Sequence, residues 1–255
     1  MAHSTITIAR FTFYEAVHNR LFGLMAAGLV CILGLSEFIG ELAITETRQM
    51  QSVLVGSGLR FFAVCVIGLF VVTSMIREFN DKGFEMMLSL PIPRSSYYFG
   101  KFFGFFLLAL VIAMAASSIL LIYSQFSYVL LWFLSLLCEL LIIIALSLLC
   151  LFTFTNVTVA FAAVIAFYLL SRSMYVIRLI SDSPILEFKT YSQEIIKFVI
   201  DSIAFILPDL NIFTQSAWLA YGGGINSIGP VLMQTAIYLV LLTAAGLFDL
   251  YRKDF

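Results

Sequence analysis

Charge and histidine are both scarce in this sequence. Of 255 residues, 62% are hydrophobic and 11% charged, where an average soluble domain carries about 25% charged residues. No soluble fold of this length hides so much apolar surface, so the chain reads as an all-α integral membrane protein. The two histidines, His3 and His18, both fall in the amino-terminal lead. That leaves no intramembrane imidazole for haem ligation, a di-iron centre or a histidine-activated serine. Formal net charge is −1, which offers no basic face to nucleic acid. Cys31, Cys65, Cys138 and Cys150 lie in apolar runs without CxxC spacing and read as packing residues, not as zinc ligands or a disulfide framework. A phosphate-binding loop is missing too, because Gly100-Lys101 lacks the earlier glycine and is followed by Phe102. Gly56-Ser57-Gly58 has part of a nucleophile motif but no histidine partner, and reads as a packing or bend element.

Long apolar runs are what the sequence does have. Residues 102 to 171 carry a single charge, Glu139, and a bilayer takes about 20 helical residues to cross, so this stretch alone holds three crossings. Six spans are expected near residues 21–40, 56–76, 102–123, 129–151, 157–179 and 230–249. Ser124-Gln125-Phe126-Ser127 and Thr153-Phe154-Thr155-Asn156 supply the turns between spans three, four and five. The run from Leu21 to Leu35 follows Arg10 and Arg20 as a signal peptide would. It ends in Ser36-Glu37-Phe38 without a small-x-small cleavage site, so it is expected to stay attached as the first span. An even number of spans puts both termini on one side, with eight of the fourteen basic residues: Arg10, Arg20, Arg77, Lys82, Arg94, Lys101, Arg252 and Lys253. By the positive-inside rule that side is cytoplasmic.

Two segments outside the spans are more than linkers. Residues 4–20 set Ile6, Phe13, Val17 and Leu21 against Arg10, Glu15, His18 and Asn19, which suits a helix lying along the cytoplasmic interface. Residues 181–229 are too apolar for a solvated loop. Ile195, Ile196, Val199, Ile200 and Ile203 recur at helical spacing, with Glu194, Lys197 and Asp201 on another face. Pro208-Asp209 opens a second short helix toward Ala220, ended by Gly222-Gly223-Gly224. These amphipathic helices between spans five and six are expected to form an outer lid or to dip into the outer leaflet.

Few charges remain inside the spans. Glu139 falls about 16 Å down a helix that enters near Tyr128, close to mid-membrane, where an ionised carboxylate needs a partner. Arg172 counts to only about 6 Å and Tyr168 to about 12 Å below the same surface, so Tyr168 is the better depth match. Two readings of Glu139 stay open: a group lining the substrate path with Tyr168 and Arg172 or an intersubunit seam, or a protonated or hydrogen-bonded acid that ties helices together. Arg60 and Arg178, near outer span ends, are expected to snorkel to head groups.

The loop from Arg77 to Lys101 mixes both signs of charge around a short apolar helix, Phe84 to Leu90, stopped by Pro91 and Pro93. Such a helix can dock in a groove of a soluble partner, with Phe84, Met87 and Leu88 as anchors and Glu78, Glu85 and Arg94 setting register. The order Glu78, Gly83, Glu85, Leu88, Leu90, Pro91, Arg94, Gly100, Lys101 resembles the permeases of the type-2 exporter branch of ATP-binding cassette (ABC) transporters. Leu207-Pro208, Asn211 and Phe213 before the last span, and the tail Tyr251-Arg252-Lys253-Asp254, extend the likeness over almost the whole chain. The pattern is most similar to the subgroup serving nitrous-oxide reductase maturation.

The resemblance implies a homodimeric, six-span-per-subunit exporter permease of the bacterial inner membrane, without a catalytic site of its own. Two cytoplasmic ATPase subunits would hold the ATP and Mg, and a periplasmic accessory protein is a further possible partner besides membrane lipids. It also implies a coupling role for Glu78, Gly83, Phe84, Glu85, Met87, Leu88 and Arg94, with the amino-terminal helix and the turn at Thr153 to Asn156 as further ATPase contacts. Two other classes compete. A secondary transporter or channel would need denser intramembrane charge or an inverted repeat of broken helices, and a scaffold would use its spans only to anchor partners.

Overall fold

A computed structural model describes residues 2–18, 20–42, 47–81, 93–154, 156–182, 191–213, 218–219 and 228–252, and every regular element among them is an α-helix. In chain order these are α1 (Ala2–His18), α2 (Arg20–Leu42), α3 (Thr47–Asn80), α4 (Arg94–Leu120), α5 (Phe126–Thr153), α6 (Val157–Asp182), α7 (Tyr191–Ile206), α8 (Leu210–Phe213) and α9 (Ile228–Arg252). Five of them, α3, α4, α5, α6 and α9, are long and apolar enough to cross a membrane. The expected first span falls on α2, a 23-residue helix.

Helix boundaries follow local chemistry. Pro93, extended at φ −64° and ψ 138°, precedes α4, and its carbonyl accepts from the Ser96 and Tyr97 amides. Its ring fixes φ and it has no amide hydrogen to leave unpaired at a helix start. Helix α4 unwinds at Leu120, whose carbonyl takes the Ser124 amide, and Gln125 in extended conformation starts α5. The expected span 56–76 proves too short. Helix α3 runs for 34 residues, about 51 Å of rise, and so projects beyond a bilayer core of about 30 Å.

Helix α5 forms the centre of the bundle. It packs against α3, α4, α6 and α9, and Leu140 together with Ile142 through Leu148 is buried. A helix apolar on every side belongs inside a bundle. By contrast α6 and α9 are enclosed on one side only and present Leu169, Leu170, Val176, Leu232, Met233 and Val240 outward.

Helix α1 packs on α4 through two glycines one turn apart. A Cβ at Gly100 would lie 2.8 Å from Ile8 Cβ, and one at Gly104 would lie 2.6 Å from Thr12 Cβ and 2.9 Å from the Ala9 carbonyl oxygen. Only residues without side chains permit that approach. The buried face of α1 is therefore Ile8, Ala9, Thr12 and Ala16, while Ile6 and Val17, expected on the apolar face, are exposed. Small residues win that face because they let the backbones close.

At the end of the bundle away from the chain termini, α7 exposes Ile195, Ile196, Phe198 and Phe205, and Asp201 lies 3.6 Å from Arg178. The chain then turns into the bundle. Leu207, Pro208, Leu210 and Phe213 are all buried, and the Tyr238 hydroxyl donates to the Ile206 carbonyl at 3.1 Å. Irregular backbone at membrane depth persists only where protein encloses it, and residues 207–213 meet that condition. Residues 214–217 and 220–227, and the expected docking helix at 84–90, lie outside the described residues.

Candidate functional site in the bundle core and at its terminal face

Arg60 and Glu139 pair in the middle of the bundle. The guanidinium Nη1 lies 2.7 Å from Glu139 Oε2, with the two side chains 1% and 0% exposed. Each residue stands thirteen positions into its helix, counted from Thr47 in α3 and Phe126 in α5, so both lie about 20 Å from that end. The expectation that Arg60 snorkels to head groups is corrected by this geometry. It rested on a span starting at 56, whereas α3 starts at Thr47 and carries Arg60 a further two turns inward.

The pair sits in a built polar nest. Arg60 Nη1 also donates to Ser135 Oγ at 3.3 Å, and its Cζ lies 5.2 Å from the centroid of the Trp132 ring, which supports a cation–π contact. Ser135 in turn donates to the Phe213 carbonyl at 2.5 Å. One chain of contacts thus runs from α3 through α5 to the inserted segment at α8. Glu139 takes Arg60, not Tyr168, as its hydrogen-bond partner, and among the described residues Glu139 Oε1 and Arg60 Nε have no partner. A buried ion pair of this kind gains little net stability over apolar packing, yet removing one member strands the other.

Tyr168 and Arg172 lie beside this nest on α6. Arg172 Nη1 donates to the Tyr168 hydroxyl at 2.8 Å, and the buried Tyr168 ring is 6.2 Å from the ring of Phe61, the neighbour of Arg60 in sequence. The structure corrects the depth of Arg172. Because α6 continues to Asp182, ten residues further, Arg172 lies about 15 Å from the helix end and Tyr168 about 21 Å. All four polar residues therefore occupy the middle third of the bundle.

A second polar cluster marks the face that carries the chain termini. Glu15 Oε1 accepts from Arg77 at 2.9 Å and from Ser74 at 3.2 Å, joining α1 to α3. Glu78 accepts from the Tyr97 hydroxyl at 3.1 Å and meets Lys101 Nζ at 2.5 Å, joining α3 to α4. Arg94 donates to the Leu250 and Tyr251 carbonyls at 3.0 and 3.2 Å, capping the exposed carbonyl end of α9. Thr153 donates to Asp249 at 2.9 Å, and an open cavity of about 310 Å³ lies among Phe152, Thr153, Asp249 and Arg252. Glu78 and Arg94 thus stand at the two roots of the loop, while Gly83, Phe84, Glu85, Met87 and Leu88 lie outside the described residues.

Sequence reasoning brought Tyr168 and Arg172 into one group, and the structure places them in contact. It misplaced Arg60 and missed Ser135 and Trp132. The available signal was that the second expected span carries one cation and the fourth one anion, a pattern that calls for a buried pair. A family model described as ABC-2 family transporter protein matches residues 37–248. A comparison with curated proteins finds no match.

Proposed function

The chain belongs to the ABC-2 family of transporter proteins and is a membrane permease of an ABC transporter, and we propose that it forms half of an export pathway driven by a separate ATPase. Two copies of the chain, each with α2 as a sixth span, would face two ATPase subunits that hold the ATP and Mg. The chain itself contributes no catalytic site. The face with the termini, where Arg77, Arg94, Lys101 and Arg252 gather, would be cytoplasmic in a bacterial inner membrane. The order of loop residues favours the subgroup serving nitrous-oxide reductase maturation, and a periplasmic accessory protein would suit such a role.

The observation that carries this reading is the continuity of α3. From Glu78 at the root of the loop to Arg60 in the core it is one unbroken helix, about 27 Å of rise. The Glu78–Lys101 and Glu15–Arg77 ion pairs bind its end to α4 and α1. A push on residues 82–92 by a docked ATPase would therefore reach the Arg60–Glu139 pair as a rigid displacement instead of dissipating in a flexible segment. In this scheme Glu139 is the tie that makes α3 and α5 move together, and Tyr168 with Arg172 form the wall that cargo meets. Binding of ATP would favour one packing of the helices and its hydrolysis the other.

The test is to co-express the chain with its ATPase, reconstitute the complex, and compare wild type with Glu85→Arg. Reversing the charge at residue 85 is expected to leave the helices inserted and to cut transport about tenfold or more relative to ATP hydrolysis, by loss of charge complementarity at the contact. Equal transport per ATP in the two proteins would remove residues 77–94 from the coupling role. An ATPase that binds the chain but moves nothing would favour a scaffold.

A further inference from the structure

Arg172 is a cation that points the wrong way for a head-group anchor. A snorkelling arginine in α6 would reach toward the near end of the helix, at Asp182, where it could be solvated. Arg172 instead extends the other way, one turn deeper, and donates to the hydroxyl of Tyr168, a fully buried residue. The direction follows from helix geometry, since long side chains lean toward the amino end and meet residue i−4. Here that end leads to the middle of the bundle.

At that depth the charges do not balance. Arg60 and Glu139 neutralise each other at 2.7 Å. Among the described residues no carboxylate pairs with Arg172, whose partner is a neutral phenol. The mid-bundle group of Arg60, Glu139 and Arg172 thus carries an excess of one positive charge. A lone cation near the bilayer centre is costly and persists where it meets an anion in the working state. Arg172 is also accessible: it is part-exposed at the rim of the α6 face that buries Val164, Tyr168 and Ser171. The Tyr168 hydroxyl accepts from Arg172 and, itself buried, fixes the direction of the guanidinium.

We infer that Arg172 and Tyr168 form a recognition site for an anionic group, a carboxylate or phosphate borne on an amphiphilic cargo. The guanidinium supplies charge and paired donors, and the buried phenol one turn deeper holds it in place. The inference rests on the reading of α6 as pathway wall and narrows the cargo that the wall takes. Glu139 lies outside the site, because its charge is already satisfied by Arg60.

The test uses the assembled complex in phosphatidylcholine vesicles and two photoreactive probes: a diazirine-bearing fatty acid, ionised, and its methyl ester. The acid is expected to label α6 around residues 165–172, and Arg172→Gln to lower that labelling about tenfold or more, as loss of a charged hydrogen bond implies. Arg172→Lys should retain part of it, and Arg172→Glu should shift the preference to a diazirine-bearing fatty amine. A purely structural arginine would not reverse the charge preference. Replacing part of the phosphatidylcholine with phosphatidylglycerol identifies a lipid head group as the natural anion if it suppresses labelling. Suppression by inorganic phosphate alone identifies a free anion, and either result supports the site. Equal labelling by acid and ester would overturn the anionic site while leaving the pathway reading in place. Labelling by neither probe would overturn both.

Discussion

Replacing Glu139 with leucine should destabilise the protein strongly, while replacing Glu139 and Arg60 together should not. In the single variant the Arg60 guanidinium, 1% exposed, keeps, among the described residues, Ser135 at 3.3 Å and the Trp132 face at 5.2 Å. Stranding one member of a buried pair costs about 3–5 kcal/mol. For a chain of this size about 2–4 °C of melting temperature accompanies each kcal/mol, so Glu139→Leu should lower the midpoint by about 6–20 °C. Arg60→Met should fall in the same range, because it leaves a carboxylate buried with no cation. The double variant Arg60→Met, Glu139→Leu fills the space with apolar atoms and removes both desolvation penalties. It should recover most of the loss, so that the double variant falls short of the sum of the singles by about 5 kcal/mol or more in the double-mutant cycle. The assay is thermal unfolding of purified protein followed by tryptophan emission, to which Trp132 contributes from beside the pair. Additive losses, with the double variant as unstable as the sum of the singles, would refute the pairing. A midpoint change of under about 2 °C in either single would refute the burial.

Two further outcomes follow from close contacts. Gly104→Val should force α1 off α4, since a Cβ there already sits 2.6 Å from Thr12 Cβ. Overpacking of this kind costs about 1–3 kcal/mol and should speed amide exchange across residues 5–16 while α5 stays protected. Unchanged exchange in α1 would mean the two helices do not meet at that glycine. Ser135→Ala removes the donor to the Phe213 carbonyl and leaves that group buried without it, at about 1–3 kcal/mol. Exchange in residues 207–213 should rise with little change in α4, and equal protection in both proteins would show that Ser135 does not hold the inserted segment.

Legibility in the sequence tracked the range of the interaction. Glu139 stood out because one acid in a long apolar stretch is visible without any fold, and the contact between Tyr168 and Arg172 follows from their spacing of four on one helix. The partner of Glu139 was not legible. Arg60 is 79 positions away, and its depth depends on where α3 begins. The polar residues from Thr47 to Ser52 disguise that start, because they look like loop until tertiary packing buries Gln51 and Ser52. The face of α1 was misread for a related reason. A search for large apolar residues finds Ile6 and Val17, but the contact with α4 is decided by Gly100 and Gly104 on another helix.

The sequence by itself determined that the chain is a helical membrane protein, which stretches form its long helices though not where α3 begins, and which transporter family it belongs to. Those properties are local, since crossing a bilayer needs only enough consecutive apolar residues with their backbone bonds satisfied inside each helix. The tertiary structure alone decided which charge neutralises which, that residues 207–213 enter the core, and that among the described residues Arg172 meets a phenol and no carboxylate. These are consequences of depth and packing among helices, and in a bilayer interior an ion's environment is set by what stands beside it in space.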